Sequence, residues 1–231
     1  MNYDIFLESF RKFIRDCPEE KLEESASYVF LSDLHMGNGG SRDDLAGNRD
    51  LLCAALEKWY LERDYTLILN GDIEDLNKFS LQAVRAARPA LLGLIDRFAA
   101  KGKLRKIVGN HDYDLLTARG YPWPMQEGLV YRVGNARLFV FHGHQASSLY
   151  VKYSTLSEFL VRYLVKPLRI RGSRVSEDSR RRFRTEKRIY RAARALGVAV
   201  VTGHTHRPLF ESLSKYDNIR ITLEALIREY I

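Results

Sequence analysis

Short apolar runs punctuate this chain, and they end alike. Tyr28-Val29-Phe30-Leu31, Thr66-Leu67-Ile68-Leu69, Arg105-Lys106-Ile107-Val108 and Val198-Ala199-Val200-Val201 each run into a cluster of Gly, Asp, Asn, Ser or His. Runs this short, bounded by turn residues, read as buried strands. Leu129 to Val133 and Arg137 to Phe141 flank Gly134-Asn135, a hairpin signal, and the second arm ends in His142-Gly143-His144. Between the runs the period becomes helical. Phe6, Phe10, Phe13 and Ile14 mark a helix over 4–15 that Pro18 ends, Leu51, Leu52, Ala55, Leu56 and Trp59 mark one over 50–63, and a third covers 81–100 with an interruption near Pro89. After the hairpin, Leu149, Tyr153, Leu156, Leu160 and Tyr163 predict a helix closed by Pro167; another starts near Ser176 and stops at Gly197. Ile219 to Leu223 reads as a last strand.

Strands alternating with helices predict an α/β class with a mostly parallel sheet and right-handed crossovers. In such sheets ligands gather at the carboxyl ends of the strands, where every polar cluster of this chain falls. The expectation is that all five clusters meet at one sheet edge. With 231 residues, 45% of them hydrophobic, the chain reads as one domain over 1–231 with a helical insertion at about 145–196. No run of 18 apolar residues and no charged-then-apolar leader is present, and Cys17 and Cys53 lie far apart outside every cluster. These features predict a soluble, cytoplasmic chain in a reducing compartment. The net charge of +8 is localised, because residues 145–194 hold 14 Lys/Arg against 4 Asp/Glu. An anionic partner is therefore expected at that segment.

The strand-end side chains Asp33, His35, Asp72, Asn110, His142, His204 and His206 mix carboxylate, imidazole and amide oxygen. That mixture suits Mn²⁺, Fe²⁺ or Zn²⁺, whereas Ca²⁺ favours all-oxygen ligation. Seven ligands exceed what one catalytic ion with an open position needs, and two ions sharing a carboxylate use them. His204-x-His206 leaves two geometries open. On an extended backbone both imidazoles share a face; on a turning one they diverge toward two ions. Singly, each residue has a plainer reading as a loop histidine, a turn aspartate or a left-handed asparagine, but five such blocks in order at strand ends are improbable by chance.

Asp-x-His (33–35), Gly-Asp (71–72), Gly-Asn-His-Asp (109–112), His-Gly-His (142–144) and Gly-His-x-His (203–206), in this order, resemble the calcineurin-like metallophosphoesterases from about Tyr28 to Pro208. The resemblance implies a metallophosphoesterase-type β-sandwich flanked by helices, with the basic helical insertion added. It implies one ion on Asp33, His35 and His206, a second on Asn110, His142 and His204, Asp72 between them, and a metal-bridging hydroxide that attacks phosphorus. Manganese is the expected metal, with Fe²⁺ or Zn²⁺ as alternatives. His111 is implied to stand outside the metal shell as the catalytic residue that assists the leaving oxygen. His144 is expected to support the ligands from behind, Asp112 to orient His111 or cap the next turn, and Arg207 to grip a substrate phosphate or pair structurally. Glu74, Asp75 and Asn77 read as a solvated loop more readily than as pocket lining.

Within that family, the Gly-His-Thr-His-Arg-Pro ending (203–208) and the insertion before it look like the UDP-2,3-diacylglucosamine hydrolases. That branch implies a UDP-sugar-lipid pyrophosphate substrate and contact of 145–196 with the anionic inner face of the membrane. It carries Arg where this chain has His111. The alternatives are a nuclease or small-molecule phosphodiesterase, with the Arg run on nucleic-acid phosphates, and a non-catalytic scaffold, whose signature would be missing ligands.

Overall fold

A computed structural model describes residues 3–23, 25–146, 179–206 and 223. The described strands form two four-stranded sheets rather than one. The first is wholly parallel, ordered β2 (Tyr28–Leu31), β3 (Thr66–Asn70), β4 (Leu104–Ile107), β5 (Met125–Gln126). The second is mixed: β1 (Glu19–Lys21), β6 (Gly128–Val133), β7 (Ala136–Phe141), β8 (Ala199–Val201), with β6 and β7 antiparallel. The expected single sheet edge is thus corrected to the adjoining ends of two sheets. The reason lies in the pairing of the hairpin. β6 takes β1 and β7 as neighbours, so the hairpin starts a second layer instead of extending the first. β1 (Glu-Glu-Lys) and the two-residue β5 carry no hydrophobic signal, and the pattern along the chain does not reveal them.

Residue alternation along the strands makes the layers. In β3, Leu67 and Leu69 pack with the helices on one face, whereas Ile68 points into the space between the sheets with Ile107, Leu129, Tyr131 and Val140. α2 (Arg49–Ala54, continuing as a π-helical turn to Leu61), α3 (Leu81–Ala87) and α4 (Pro89–Ala100) cover the outer face of the first sheet. α1 (Tyr3–Asp16) and α5 (Ser179–Leu196) cover that of the second. On α1, Phe6, Phe10 and Ile14 form the buried stripe, and the Phe10 ring meets Phe139 at 5.7 Å and Phe141 at 5.4 Å. Each such side chain contributes roughly 1.5–3 kcal/mol of hydrophobic stabilisation.

The interruption expected near Pro89 falls there. Arg88 leaves helical geometry at φ −126°, as a residue before proline must, and Pro89 opens α4 where no N–H is needed. α5 stops before Gly197, which takes φ +61°. The helix expected over Leu149–Tyr163 lies outside the described residues, as do Arg207 and the strand expected at Ile219–Leu223 except for Leu223 itself, which is helical. Among the described residues no helix is long and apolar enough to cross a membrane.

Candidate metal centre

Five loops converge where the two sheets meet. β2, β3 and β4 deliver Asp33 and His35, Asp72, and Asn110 with His111; β7 and β8 deliver His142, and His204 with His206. Asn70, the last residue of β3, staples the layers. Its Nδ2 donates to the Phe141 carbonyl at 3.2 Å, and its own carbonyl accepts from Ser32 Oγ at 2.9 Å. His142 Nδ1 lies 2.9 Å from that same carbonyl, so its Nδ1–H points at the backbone and its Nε2 faces the centre.

The backbone is bent hard to achieve this. Asp33 (φ 55°), His35 (46°), Asp72 (52°), His204 (72°) and His206 (53°) all occupy the left-handed region. Non-glycine residues are uncommon there, and their concentration at one place marks stored strain of about 1–3 kcal/mol each. The same bending decides between the two geometries open for His-x-His: the imidazoles diverge. His206 joins Asp33 and His35, while His204 joins Asp72 and His142, and in each trio the ligand atoms lie within 4.8 Å of one another. Gly109 permits the close approach of the strands here, because a Cβ on it would collide with the Asp72 carboxylate.

Asp72 stands between the trios. Its Oδ1 accepts the His111 backbone N–H at 2.8 Å. Its Oδ2 is 3.2 Å from His142 Nε2, without hydrogen-bond alignment, and 3.9 Å from His35 Nε2. Burial opposes its charge, but His142, His111 and the amide hold the carboxyl far below the usual range. Asp33 receives the His204 backbone N–H at 3.1 Å and lies 3.1 Å from His206 Nε2. Burial would raise its pKa, yet His206, His142 and Ser32 lower it. Among the histidines, burial pulls His142 down while Asp72 and Asp33 outweigh it, to about 9; burial and the neighbouring His142 push His204 down to about 4. Perturbed groups gathered in this way are a mark of functional sites.

The donor set passes a direct test of fit. Asn110 Oδ1, His142 Nε2 and His204 Nε2 are buried and have no hydrogen-bond partner. Buried polar atoms are normally satisfied, and three unpartnered atoms of ligand type at the same loops fit a divalent cation. An open depression of about 410 Å³, lined by Ser32, Asp33, Thr202, Gly203 and His206, borders the other trio.

Two expectations about the surrounding residues are overturned. Glu74 and Asp75 are not a solvated loop; they are 1% and 0% exposed, and only Asn77 is exposed. Asp112 opens the 3-10 turn after it, its carbonyl accepting from Leu115 N at 3.0 Å, but its side chain neither caps that turn nor orients His111. Asp112 accepts from Gly109 N at 2.6 Å and Ile73 N at 2.9 Å, and Asp75 Oδ1 takes His111 Nδ1 at 2.8 Å. The cause is Lys106, fully buried within β4, whose Nζ lies 2.6 Å from Glu74 and 3.5 Å from Asp112. A lysine inside an apolar strand requires buried carboxylates, and that was the sequence signal available. His144 is buried behind the ligands, its ring 5.5 Å from His142 and 6.3 Å from His204.

The family model described as calcineurin-like phosphoesterase matches residues 26–208. No curated protein matches the chain significantly. Among solved structures, the chain is similar to the Pseudomonas putida nuclease MPE at 22% identity, covering 52% of this chain and 56% of that one with a TM-score of 0.30. It is similar to Yfce, a phosphoesterase from E. coli, at 20% identity over 51% and 57% of the chains with a TM-score of 0.30. A predicted phosphoesterase from Streptococcus pneumoniae TIGR4 aligns at 18% identity over 58% and 55%, with a TM-score of 0.26. The chain spans little more than half the length of each of these structures.

Proposed function

The chain belongs to the calcineurin-like phosphoesterase family, and from that premise we propose that it is a two-metal phosphoester hydrolase. In this reading Asp33, His35 and His206 hold one ion, Asn110, His142 and His204 hold the other, and Asp72 is shared. The observation that carries it is the trio of buried, unpartnered atoms, Asn110 Oδ1, His142 Nε2 and His204 Nε2, beside Asp72. Members of this family use divalent metals, and Mn²⁺ is the proposed ion, with Fe²⁺ and Zn²⁺ also suited to the mixed donors. When bound, the ions supply Lewis-acid neutralisation of the phosphoryl oxygens and acidify a water at neutral pH.

The chain's own contribution centres on His111. Burial lowers its pKa, but the Asp75 hydrogen bond and the Asp72 charge raise it above the ordinary value. Asp75 fixes Nδ1 as the inward donor, leaving a protonated Nε2, 3.9 Å from Asp72 Oδ2, to give its proton to a leaving oxygen. Arg207 follows His206 directly and is assigned to gripping the substrate phosphate.

A protonated imidazole matters most when the leaving group is an alkoxide, because a departing phosphate is already stable as an anion. The His111–Asp75 pair therefore favours a phosphodiester or monoester over the pyrophosphate of a UDP-sugar-lipid. That second substrate, with peripheral contact of 145–196 to an anionic inner membrane face, keeps the support of the Gly-His-Thr-His-Arg-Pro ending. A Mn²⁺-supplemented panel of phosphomonoesters, phosphodiesters, oligonucleotides and UDP-lipids tests both. Hydrolysis that disappears in Asp72→Asn and His204→Ala, with circular dichroism unchanged, is expected. Turnover equal to wild type in both variants refutes the two-metal reading, and a pronounced preference for the UDP-lipid selects the pyrophosphatase branch.

A further inference from the structure

α5 separates its two faces cleanly. Thr185, Ile189, Ala192 and Ala193 are buried, the last three in the cluster that joins α1 to β7. Arg184, Lys187, Arg191 and Arg194 are exposed. At about 100° per residue these four fall within a sector of roughly 80° on the opposite side, and at about 1.5 Å per residue they span roughly 15 Å. Over residues 184–196 there are five cations and one acid, Glu186. Glu186 lies about 120° around the helix from the middle of the stripe. Tyr190, 44% exposed, stands about 40° around the helix from the edge of the stripe.

We propose that this outer face of α5 is a docking surface for the phosphodiester backbone of single-stranded nucleic acid. Regularly spaced cations one helical turn apart match a flexible polyanion that can follow them, and an aromatic at the rim offers an unpaired base a platform. A lipid surface is disfavoured by the same geometry. A helix that enters a bilayer interface needs a free apolar face, and the apolar face of α5 is already buried in the core. The surface also connects to the metal centre through the backbone. Arg188 Nη1 donates to the Ala146 carbonyl at 3.4 Å, four residues after His142, and α5 leads into β8 and Gly203-His204.

The docking surface does not depend on the hydrolase reading, and the test separates them. Metal-loaded protein is titrated onto a fluorescein-labelled phosphorothioate oligodeoxynucleotide of about 20 nucleotides, chosen to resist cleavage, between about 50 and 200 mM NaCl. The variant is the triple Arg184→Gln, Arg191→Gln, Arg194→Gln, checked by circular dichroism. With a loss of about 0.7 in slope per phosphate contact, log K against log salt flattens by about 2, and affinity at the lowest salt drops on the order of 10²-fold. Hydrolysis of bis-p-nitrophenyl phosphate is expected to be the same in the variant and the wild type. Its absence from both would bear on the diesterase reading alone and leave the docking surface standing. An unchanged slope in the triple variant, no oligonucleotide binding by wild type, or tighter arginine-dependent binding to phosphatidylserine vesicles overturns the proposal.

Discussion

Replacing Lys106 with methionine isolates what the buried charges do. Lys106 and Asp112 side chains are 0% exposed and Glu74 is 2% exposed, so no water can take over when the ammonium is removed. Asp112 would keep two backbone donors, Gly109 N and Ile73 N, and Glu74 would keep the Tyr121 hydroxyl. Burial already pushes the Glu74 pKa up, and Lys106 opposes that rise. Breaking a buried pair by deleting one partner typically costs about 3–5 kcal/mol, a large part of the roughly 5–15 kcal/mol that holds a domain folded. Lys106→Met is expected to lose that amount in urea unfolding followed by circular dichroism. Adding Glu74→Gln should return about 1–3 kcal/mol, since the orphaned charge is then gone. Because Asp112 anchors Ile73 and Gly109, next to Asp72 and Asn110, Mn²⁺ affinity should weaken in Lys106→Met and recover partly in the double variant. A loss below about 1 kcal/mol, or no recovery on adding Glu74→Gln, would refute the reasoning.

Two further outcomes are expected. His111→Asn should slow hydrolysis of a diester with an alkyl leaving group by about 10²–10⁴-fold while slowing bis-p-nitrophenyl phosphate much less; equal losses on both would remove His111 from the proton-donor role. The Cys17 thiol is pushed up to about 12 by burial and by the Glu127 and Asp16 carboxylates. A raised thiol pKa means the folded state favours the neutral form, so at pH 8 its thiolate fraction falls on the order of 10³-fold below that of a free cysteine. Peptide mass spectrometry after native iodoacetamide treatment should show Cys17 labelled that much more slowly, and labelling at the free-cysteine rate contradicts the assignment.

The candidate ligands are legible because their chemistry is written at strand ends, where short apolar runs announce the strands. The same runs carry no record of which sheet a strand joins. β4 and β7 end in similar polar clusters, yet one belongs to each layer, and only non-local pairing separates them. Asp75 was misread for a related reason. A polar pair after Ile73 looks like any surface turn until Lys106 against Glu74 and His111 against Asp75, both distant in sequence, are known. Divergence of His204 and His206 depends on two left-handed backbone angles, which residues other than glycine adopt uncommonly and which the sequence does not announce.

β7 and β8 are parallel neighbours, joined through everything from His142 to Val198. Parallel strands cannot be linked by a tight turn, so a long excursion is obligatory, but its content is not. Lengthening such an excursion twofold adds only about 0.6 kcal/mol of closure entropy. His142 and His204, on either side of it, are held by the ladder and by the Gly203 N–H that donates to the His142 carbonyl at 2.9 Å. This position is thus one where the chain can carry added length while the pairing of β7 with β8 is kept.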